Sequence, residues 1–337
     1  MKFYRPARPG DLGSLTAYEK ETPHPQRGEV LVRVRAVSLN YRDLLLLNGS
    51  YPVDTPDGLV PVSDAAGEIV ETGEGVRRFA VGDRVLNTFH SDWFGGPYPG
   101  PAALLGYGNG QDGWLTEYRV VSEQALVALP DGLSYEHAAT LPCAGVTAFT
   151  ALTGPRPVTG ADTVLVQGTG GVSLFALQLA RLLGARVIAT TSSAAKAERL
   201  TALGADAVVD YTEHPEWGKQ VLELTQGRGV DRVVEVGGPG TFGQSLLASG
   251  THGAEIALIG FLGAGGPDVP FMDLFRSGIT LRKINVGSRQ DTEDLLDLLA
   301  RHPVEPVVDS VFPFGRALDA LRHFESRTNL GKVVITI

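Results

Sequence analysis

The sequence predicts an α/β fold that combines a doubly wound parallel sheet with a separate β-rich region. Short strand signals divided by tight turns fill residues 1–128, which is typical of a β-rich domain. Strand and helix signals alternate through 129–287, which is typical of a parallel sheet covered by helices. A glycine-rich turn in this second region joins a strand to a helix. A length of 337 residues allows two such domains.

The second region contains six strand signals, the number expected of a dinucleotide-binding sheet. They are Val164–Gln167, Arg186–Ala189, Ala207–Val209, Asp231–Val236, Glu255–Ile259 and Ile279–Val286. In the β-rich region the clearest strand is Glu29–Val37, whose valines alternate with polar residues. Further strands are predicted at Gly67–Glu71, Arg84–Asn87, Leu115–Val121 and Lys332–Ile337, and helices at about 135–139, 144–152, 291–300 and 315–324.

The glycine-rich turn, Gly168-Thr169-Gly170-Gly171, follows a buried strand signal at Thr163–Val166. Apolar residues recur at helical spacing from Val172 until Gly184. Such a turn lets the backbone approach a pyrophosphate, and the helix presents its N–H groups and positive dipole end. Ser173 takes the last position of the G-x-G-x-x-G pattern and is small enough for close packing. An ordinary βαβ unit with a tight turn is the alternative interpretation.

The end of the second strand favours NADPH over NADH. NADH binding would need an acidic residue about 20 positions past the first glycine. The chain has only hydroxyl residues there, ending in Thr191, Ser192 and Ser193, and Lys196 follows. Hydroxyls and a lysine can hold a 2′-phosphate that a carboxylate would repel. Alternatively, Ser192 or Ser193 caps the next helix and Lys196 is a solvated charge, and both interpretations can hold together.

Composition and charge exclude several classes of protein. The net charge is −9 and the basic residues are dispersed, which disfavours nucleic-acid binding. No apolar run is long enough to span a membrane, and the N-terminus lacks the apolar core of a signal peptide. Cys143 is the only cysteine, so a disulfide framework and a four-cysteine zinc site are impossible. We therefore expect a cytoplasmic enzyme.

Short motifs along nearly the whole chain occur in an order that is specific to one family. They are Ser38-Leu39-Asn40-Tyr41-Arg42-Asp43, Gly49-Ser50-Tyr51-Pro52, Val81-Gly82-Asp83-Arg84-Val85, Leu141-Pro142-Cys143-Ala144-Gly145, the glycine turn, Ala202-Leu203-Gly204-Ala205-Asp206, Val286-Gly287-Ser288-Arg289 and Gly331-Lys332-Val333-Val334. With them the chain resembles the medium-chain dehydrogenase/reductase superfamily, and most of all its zinc-independent quinone-oxidoreductase branch. The resemblance implies a GroES-like (chaperonin-10-like) catalytic domain formed by 1–128 and 288–337, with a Rossmann domain, 129–287, inserted between them.

The resemblance also extends the cofactor site and suggests a homodimer. In relatives that use NADPH, a lysine and a tyrosine fifteen positions later clamp the 2′-phosphate, and Lys196 and Tyr211 have this spacing. The alternative for Tyr211 is a half-buried aromatic at a strand end. Ile279–Val286 would be an edge strand that pairs with its copy across a dimer. The complete predicted cofactor set is Asn40, Thr147, Gly168, Thr169, Gly170, Gly171, Val172, Thr191, Ser192, Ser193, Lys196, Tyr211, Gly237, Gly260, Val286, Ser288 and Arg289.

The positions that bind catalytic zinc in alcohol dehydrogenases of this superfamily carry different residues here. Asn40 replaces the first cysteine, Ser63-Asp64 replaces the His-Glu pair, and only Cys143 remains. The 90–114 stretch, where a structural zinc lobe would lie, has no cysteine. Zinc needs thiolate, imidazole or carboxylate ligands, so we predict no metal site. A site made from Asp43, Asp64 and Cys143 is the alternative, and a small buried hydrophobic residue is the structural interpretation of Cys143.

Without a metal, the substrate must be polarised by hydrogen bonds. Quinones and α,β-unsaturated carbonyls suit such a site, because the charge that develops on them needs only modest stabilisation. The candidate catalytic residues are Asn40, Tyr41, Asp43 and Tyr51. Each also has a structural interpretation: Asn40 in a turn, Asp43 as the cap of a helix through Leu44–Leu47, and Tyr51 packed on Pro52. His90, Trp93 and Tyr107 are further candidates for lining the cleft.

These observations predict an NADPH-dependent, zinc-independent reductase of quinones or conjugated carbonyls. A second hypothesis is an NADP-dependent alcohol dehydrogenase or aldehyde reductase, which stoichiometric zinc would favour. A third is an NADPH-binding structural or interaction protein without turnover.

Overall fold

The computed structural model describes residues 1–52, 55–100, 106–250, 253–261, 265–266, 268–302 and 304–337. The chain divides into two compact units. Unit 1 comprises Met1–Val146 and Val286–Ile337, and unit 2 comprises Thr147–Asn285. Within the described ranges, no helix combines the length and apolarity that a membrane crossing requires.

The strands and helices agree closely with the alternation in the sequence. The strands are β1 (Lys2–Pro6), β2 (Leu15–Glu19), β3 (Glu29–Ser38), β4 (Asp64–Thr72), β5 (Arg84–Asn87), β6 (Tyr118–Ser122), β7 (Leu126–Ala128), β8 (Thr163–Gln167), β9 (Arg186–Thr191), β10 (Ala207–Asp210), β11 (Arg232–Glu235), β12 (Glu255–Leu258), β13 (Thr280–Lys283), β14 (Val308–Pro313) and β15 (Lys332–Thr336). The α-helices are α1 (Tyr41–Leu47), α2 (Tyr135–Ala138), α3 (Val146–Thr153), α4 (Gly171–Leu182), α5 (Ala194–Ala202), α6 (Trp217–Leu224), α7 (Phe242–Ala248), α8 (Phe271–Ser277), α9 (Arg289–Arg301) and α10 (Ala317–Glu325).

Unit 1 is built on a mostly antiparallel sheet in the order β14-β15-β3-β4-β5-β7, with β6 also paired to β3. The alternating valines of β3 supply its core, and Val30, Val32 and Val34 are at most 1% exposed. The C-terminal strand β15 lies antiparallel to β3, with Val334 opposite Ser38. This register carries the first residue of β15 alongside the end of β3, where the candidate catalytic segment begins.

The sequence assigned residues 129–146 to the nucleotide-binding region, whereas the structure groups them with unit 1. The reason is local packing, since α2 contacts β3, β4 and β15 of the unit 1 sheet. A wide helical turn at Leu141–Gly145 then continues the chain into α3. The division into functional domains stays a prediction.

Unit 2 is a six-stranded parallel sheet in the order β10-β9-β8-β11-β12-β13. The order reverses between β8 and β11, which is the switch point where doubly wound sheets bind ligands. Every residue of β8 and of β11 is buried, as expected of strands covered on both faces. The prediction of a doubly wound α/β fold is confirmed, and the six predicted strands are all present: the first three are one or two residues longer than predicted, and the last three are shorter.

Candidate functional site

The glycine turn lies at the carboxyl end of β8, on the switch point of the unit 2 sheet. Gly168 has a φ of +70°, a left-handed conformation that side chains other than glycine rarely adopt. Its N–H donates to the Thr190 carbonyl over 2.8 Å, which ties the turn to β9. Gly170 is the N-cap of α4, and a Cβ atom built on Gly168 or Gly170 would meet no protein atom within 4 Å. Protein packing therefore does not explain these two glycines, and the open backbone fits the approach of a pyrophosphate.

Ser173 has a role that the sequence did not indicate beyond its small size. Its hydroxyl is buried and donates to the Gln167 carbonyl over 2.6 Å. The bond fixes the first turn of α4 against the end of β8. Serine therefore preserves the close packing that glycine gives in the usual motif and adds a restraint to the turn.

A buried carboxylate, Glu235, organises the neighbouring turn after β11. One of its oxygens accepts from the N–H groups of Gly237 and Gly238 at 2.8 and 2.9 Å and from the Thr241 hydroxyl at 2.5 Å. Its other oxygen accepts from the Gln167 amide at 2.7 Å and from the Ser245 hydroxyl. The sequence analysis missed this residue, although a glutamate two positions before a pair of glycines at a strand end was a usable signal.

The predicted cofactor residues Gly237 and Gly260 also have structural reasons to be glycine. A Cβ atom on Gly237 would lie 2.3 Å from the Thr241 hydroxyl, and one on Gly260 would lie 2.6 Å from the Val236 carbonyl. Either contact would displace the backbone around the turn. Gly237 thus makes room for the Thr241 side chain and Gly260 for the Val236 backbone, and the contact of either glycine with a cofactor stays a prediction.

The ends of β9 and β10 bring together the residues predicted to contact the 2′-phosphate. The Tyr211 N–H donates to the Thr191 carbonyl over 2.9 Å, and the Tyr211 side chain is 41% exposed. Thr191 is buried, and its hydroxyl has no hydrogen-bond partner within the part of the chain that the structure describes. Ser193 caps α5 by accepting from the Lys196 N–H over 3.4 Å, as the structural interpretation required. Lys196 is half-buried and Ser192 is exposed.

Ser288 and Arg289, both predicted to contact the cofactor, are engaged within unit 1. Ser288 caps α9: its hydroxyl and N–H both donate to the Asp291 carboxylate, at 2.6 and 2.7 Å. The Arg289 guanidinium donates to the Gln124 side-chain oxygen over 2.7 Å and lies over the Phe94 ring. These contacts give both side chains a structural role.

Three other predicted cofactor residues lie near unit boundaries or in the first turn of a helix. Val286 has a φ of +62°, which is unusual for a β-branched residue. Thr147 is buried at the start of α3, and Val172 is half-buried in the first turn of α4. A cofactor role for these three residues stays a prediction.

In unit 1, the residues at the former zinc positions form one hydrogen-bonded group with a lysine from the C-terminus. We call Asn40, Ser63, Asp64, Cys143 and Lys332 the Asn40 cluster. The Lys332 ammonium donates to the Asn40 amide oxygen at 2.5 Å and to the Leu39 carbonyl at 2.6 Å. Lys332 is 3% exposed and Asp64 is fully buried. Sequence reasoning missed Lys332 because it is 292 positions from Asn40 and looked like an ordinary charge at a strand start.

The Asn40 cluster does not fit a zinc ion. The amide oxygen of Asn40 is occupied by the ammonium, and the Ser63 hydroxyl donates to Asp64 over 2.8 Å. Burial raises the pKa of the Cys143 thiol well above its ordinary value. Among the described residues, no group of three or more His, Cys, Asp and Glu side chains is placed to hold a metal.

Asp43 is buried and belongs to the start of α1. The helix begins at Tyr41 with Asn40 as its N-cap, and the Asp43 carboxylate accepts from the Asn40 N–H over 2.8 Å. The interpretation of Asp43 as a helix-capping residue is confirmed through this capping box, although the helix begins at Tyr41 and not at Leu44. An aspartate at the third helical position bonds back to the cap residue, and the favourable end of the dipole lies there.

Burial dominates the ionisation of the carboxylates in this region. It raises the pKa of Asp43 to about 6, although the Arg42 guanidinium, 3.5 Å away, favours the charged form. Burial likewise raises the pKa of Asp64, opposed by the Lys332 charge. Burial lowers the pKa of Lys332, and the Asp64 carboxylate opposes this shift. These opposite shifts are expected of charged groups held out of water beside partners of opposite sign.

The tyrosines proposed for catalysis differ in their surroundings. The Tyr41 hydroxyl accepts from Arg327, whose guanidinium lies over the Tyr41 ring. Tyr51 is half-buried with Arg42 over its ring, at 5.6 Å from the centroid. Tyr51 and Asp43 both line a cavity of about 540 Å³ within unit 1, together with Leu46. The structure therefore brings two of the four candidates to one cavity.

The 90–114 loop contains three residues that were predicted to line the cleft, and the structure places them differently. Tyr107, proposed to line the cleft, is 1% exposed and packs edge-on against Trp114 in the unit 1 core, so that expectation is wrong. His90 and Trp93 lie together in an aromatic group with ring centroids 5.7 Å apart. Residues 101–105 of the same loop lie outside the described residues.

Comparisons with known proteins agree with this architecture. Residues 26–131 match the family model of the alcohol dehydrogenase GroES-like domain, and residues 171–301 match that of the zinc-binding dehydrogenases. A zinc-type alcohol dehydrogenase-like protein of Schizosaccharomyces pombe is 40% identical, over 96% of this chain and 95% of that protein. The quinone oxidoreductase of Pseudomonas aeruginosa is 32% identical, over 94% of this chain and 93% of its own. A mycobacterial protein solved with NADPH superposes with a TM-score of 0.83 at 30% identity, covering 100% of both chains.

Proposed function

Because this chain belongs to the medium-chain dehydrogenase/reductase superfamily, we propose that it is an NADPH-dependent, zinc-independent reductase of quinones or α,β-unsaturated carbonyls. The membership itself makes the chain an oxidoreductase with a GroES-like and a Rossmann region. The finer assignment is carried by the Asn40 cluster, in which an amide stands where zinc dehydrogenases place a metal ligand and a buried lysine donates to that amide. A site of this chemistry favours substrates that need only hydrogen bonds to their oxygen.

The choice of NADPH is supported by the ends of β9 and β10. The last residues of β9 and the two serines after it carry no carboxylate to repel a 2′-phosphate. Tyr211 is exposed beside Thr191, and Lys196 lies in the first turn of α5. The mycobacterial protein that was solved with NADPH is 30% identical to this chain. We expect Lys196 to donate to the phosphate and Tyr211 to cover it.

Bound NADPH would supply the hydride from C4 of its nicotinamide, and the residues of unit 1 would polarise the acceptor. The Asn40 amide nitrogen carries two N–H groups, of which one donates to the Ser63 hydroxyl. We propose that the second donates to the substrate oxygen as negative charge develops on it. Tyr51, which is half-buried beside Arg42, is proposed to border the substrate. The buried walls of this region would strengthen such hydrogen bonds by keeping water out.

The proposal is tested by following NADPH oxidation with a panel of quinones, enones, simple ketones and aldehydes. We expect quinones or enones to turn over at least about tenfold faster than simple ketones, because they need less stabilisation of the developing oxyanion. Good oxidation of alcohols with no turnover of any quinone or enone would contradict the proposal.

The competing function is a zinc-dependent alcohol dehydrogenase or aldehyde reductase. It is favoured by the Schizosaccharomyces pombe relative, whose name is zinc-type alcohol dehydrogenase-like. One equivalent of zinc in the purified protein, with activity lost on chelation, would support this alternative. We expect a zinc content far below one equivalent and an activity that chelators leave unchanged.

We also propose a homodimer that forms through unit 2. β13 is an edge strand of the six-stranded sheet, and three of its four residues are exposed. The preceding helix α8 exposes Phe271, Met272 and Phe275 at 73%, 46% and 71%. An open edge beside large exposed apolar side chains is typical of a protein interface.

Light scattering tests this proposal. The wild-type protein should have twice the mass of the chain, and the double variant Phe271→Asp with Phe275→Asp should be a monomer. A wild-type monomer would contradict the proposal.

A further inference from the structure

A single chain of hydrogen bonds connects the Lys332 ammonium to the Asp64 carboxylate. Lys332 donates to the Asn40 amide oxygen at 2.5 Å, and the Asn40 amide nitrogen donates to the Ser63 hydroxyl at 3.3 Å. Ser63 then donates to one Asp64 oxygen at 2.8 Å, and the other Asp64 oxygen accepts from the Cys143 N–H at 3.0 Å. Each donor in the chain thus meets an acceptor, as buried polar groups require.

The charges around this chain balance without a metal ion. Lys332 and Asp64 are both buried, and each acts electrostatically on the other. The other buried carboxylate of the region, Asp43, lies 3.5 Å from Arg42. Two cations therefore face two carboxylates. Adding a divalent ion would bury two uncompensated positive charges or expel the lysine, and either change is costly in a region shielded from water.

The backbone also holds Lys332 firmly in this place. Its N–H donates over 2.9 Å to the carbonyl of Val307, the residue before β14, where the pairing of β14 with β15 begins. Gly331 before it has a φ of +88°, and a Cβ there would lie 2.2 Å from the same carbonyl. Only glycine allows this close approach, so the strand start that presents Lys332 is fixed by local geometry.

We propose that the Lys332 ammonium takes the place of the metal cation in this chain: it balances Asp64 and holds the Asn40 amide in position. Lys332 is then a positioning residue that acts through Asn40. The inference deepens the proposed zinc independence and rests on it, because it names the group that makes a metal unnecessary. It also predicts that removal of the ammonium leaves a carboxylate and a thiol able to accept a divalent cation.

The experiment compares wild type, Lys332→Met and Lys332→Arg by thermal unfolding with and without Zn²⁺, in the absence of substrate. Met keeps most of the side-chain volume without the charge, and Arg keeps the charge. Zn²⁺ should raise the Tm of Lys332→Met by about 5 °C, because a cation that binds only the folded state stabilises it. The Tm of wild type and of Lys332→Arg should not change, because their side-chain cation already occupies the place. Lys332→Met should also show a thiolate charge-transfer band when Co²⁺ is added. The band should be absent when Cys143→Ser is combined with Lys332→Met.

Two results would overturn the inference: a folded Lys332→Met that is indifferent to Zn²⁺, or a wild type that Zn²⁺ stabilises as strongly. If Lys332→Met does not fold alone, the double variant Asp64→Asn with Lys332→Met gives the answer. It should fold, because neither charge is then left without its partner. A double variant that also fails to fold, while Asp64→Asn alone folds, would overturn the inference. Failure of the substrate panel would contradict only the proposed function, because these measurements contain no substrate.

Discussion

The glycine turn of unit 2 and the Asn40 cluster of unit 1 are built in opposite ways. The glycine turn is made of backbone: a left-handed Gly168, the N-cap Gly170 and the free N–H groups of α4. Its parts are contiguous in sequence. The Asn40 cluster joins four separate segments through the side chains of Asn40, Ser63, Asp64 and Lys332 and the backbone N–H of Cys143, and its hydrogen bonds join residues up to 292 positions apart. We propose that the first holds a pyrophosphate and that the second sets the chemistry.

The difference shows which region is free to change during the divergence of such proteins. A turn that must present backbone N–H groups tolerates few side chains, because a Cβ atom or a change of φ alters it at once. We propose that in this chain an ammonium takes the place of the metal in such a cluster, with charge and hydrogen bonds balanced together. The proposal would explain how a chain that matches the zinc-binding dehydrogenase family can have a cluster that does not fit zinc.

The largest expected effect comes from Gly168→Ala. The new side chain would have to adopt a φ near +70° at the point where we propose that the pyrophosphate approaches. We expect the Kd for NADPH to rise by roughly 100-fold, as backbone contacts to the phosphates are displaced. Titration of NADPH fluorescence against the protein measures this affinity.

Gly132→Ala is the matched control for this change. Gly132 also has a positive φ, +85°, and a Cβ there also meets no atom within 4 Å, but it lies in a unit 1 turn. Both substitutions should cost about 1–2 kcal/mol of stability from backbone strain. Equal losses of NADPH affinity in the two variants would show that strain alone, rather than a cofactor contact, accounts for Gly168.

The next effect is expected from Lys196→Ala. A charge-assisted hydrogen bond to a phosphate contributes about 1.5–3 kcal/mol, so the KM for NADPH should rise roughly 10- to 100-fold. The KM for NADH should hardly change, because NADH has no 2′-phosphate. Lys219→Ala, which removes an exposed lysine paired with Glu216 at 2.6 Å, is the control. A parallel rise for both cofactors would exclude a specific contact between Lys196 and the phosphate.

A further effect concerns stability and pH, and it leaves cofactor affinity aside. Because the pKa of Asp43 is about 6 in the folded protein, against about 4 when unfolded, the folded state binds the proton more tightly. Protonated Asp43 increases the free energy of unfolding below pH 4, and this contribution is lost as the pH rises from 4 to 6. Its loss is roughly 3 kcal/mol by pH 7. Asp43→Asn should not show this loss.

The prediction is tested by measuring the free energy of unfolding in urea for wild type and Asp43→Asn at several pH values. The asparagine retains an oxygen that can accept from the Asn40 N–H, so the helix start is kept. The difference in unfolding free energy between the two proteins should shift in favour of the variant between pH 4 and pH 6. A difference that does not depend on pH would mean that Asp43 ionises normally.

Much of the fold could be predicted because its signals are local. Periodicity and glycine breaks located all six strands of the parallel sheet, and the structure changes only where they begin and end, most of all where Ile279–Val286 becomes Thr280–Lys283. The cap role of Ser193 was also foreseen, since a serine before a helix is a local signal. Tyr107 was misplaced because an aromatic residue in a loop gives no indication of whether the loop folds back into the core.

The sequence by itself determined the α/β class, the glycine turn with its opening helix, and the absence of an acidic residue after β9. These features depend on backbone conformation and near neighbours, which a linear pattern records. Only the tertiary structure decided that Lys332 reaches Asn40 and that Glu235 fixes the Gly237–Gly238 turn. Both depend on strand register and burial, and burial is what turns an ordinary charged side chain into one that must find a partner.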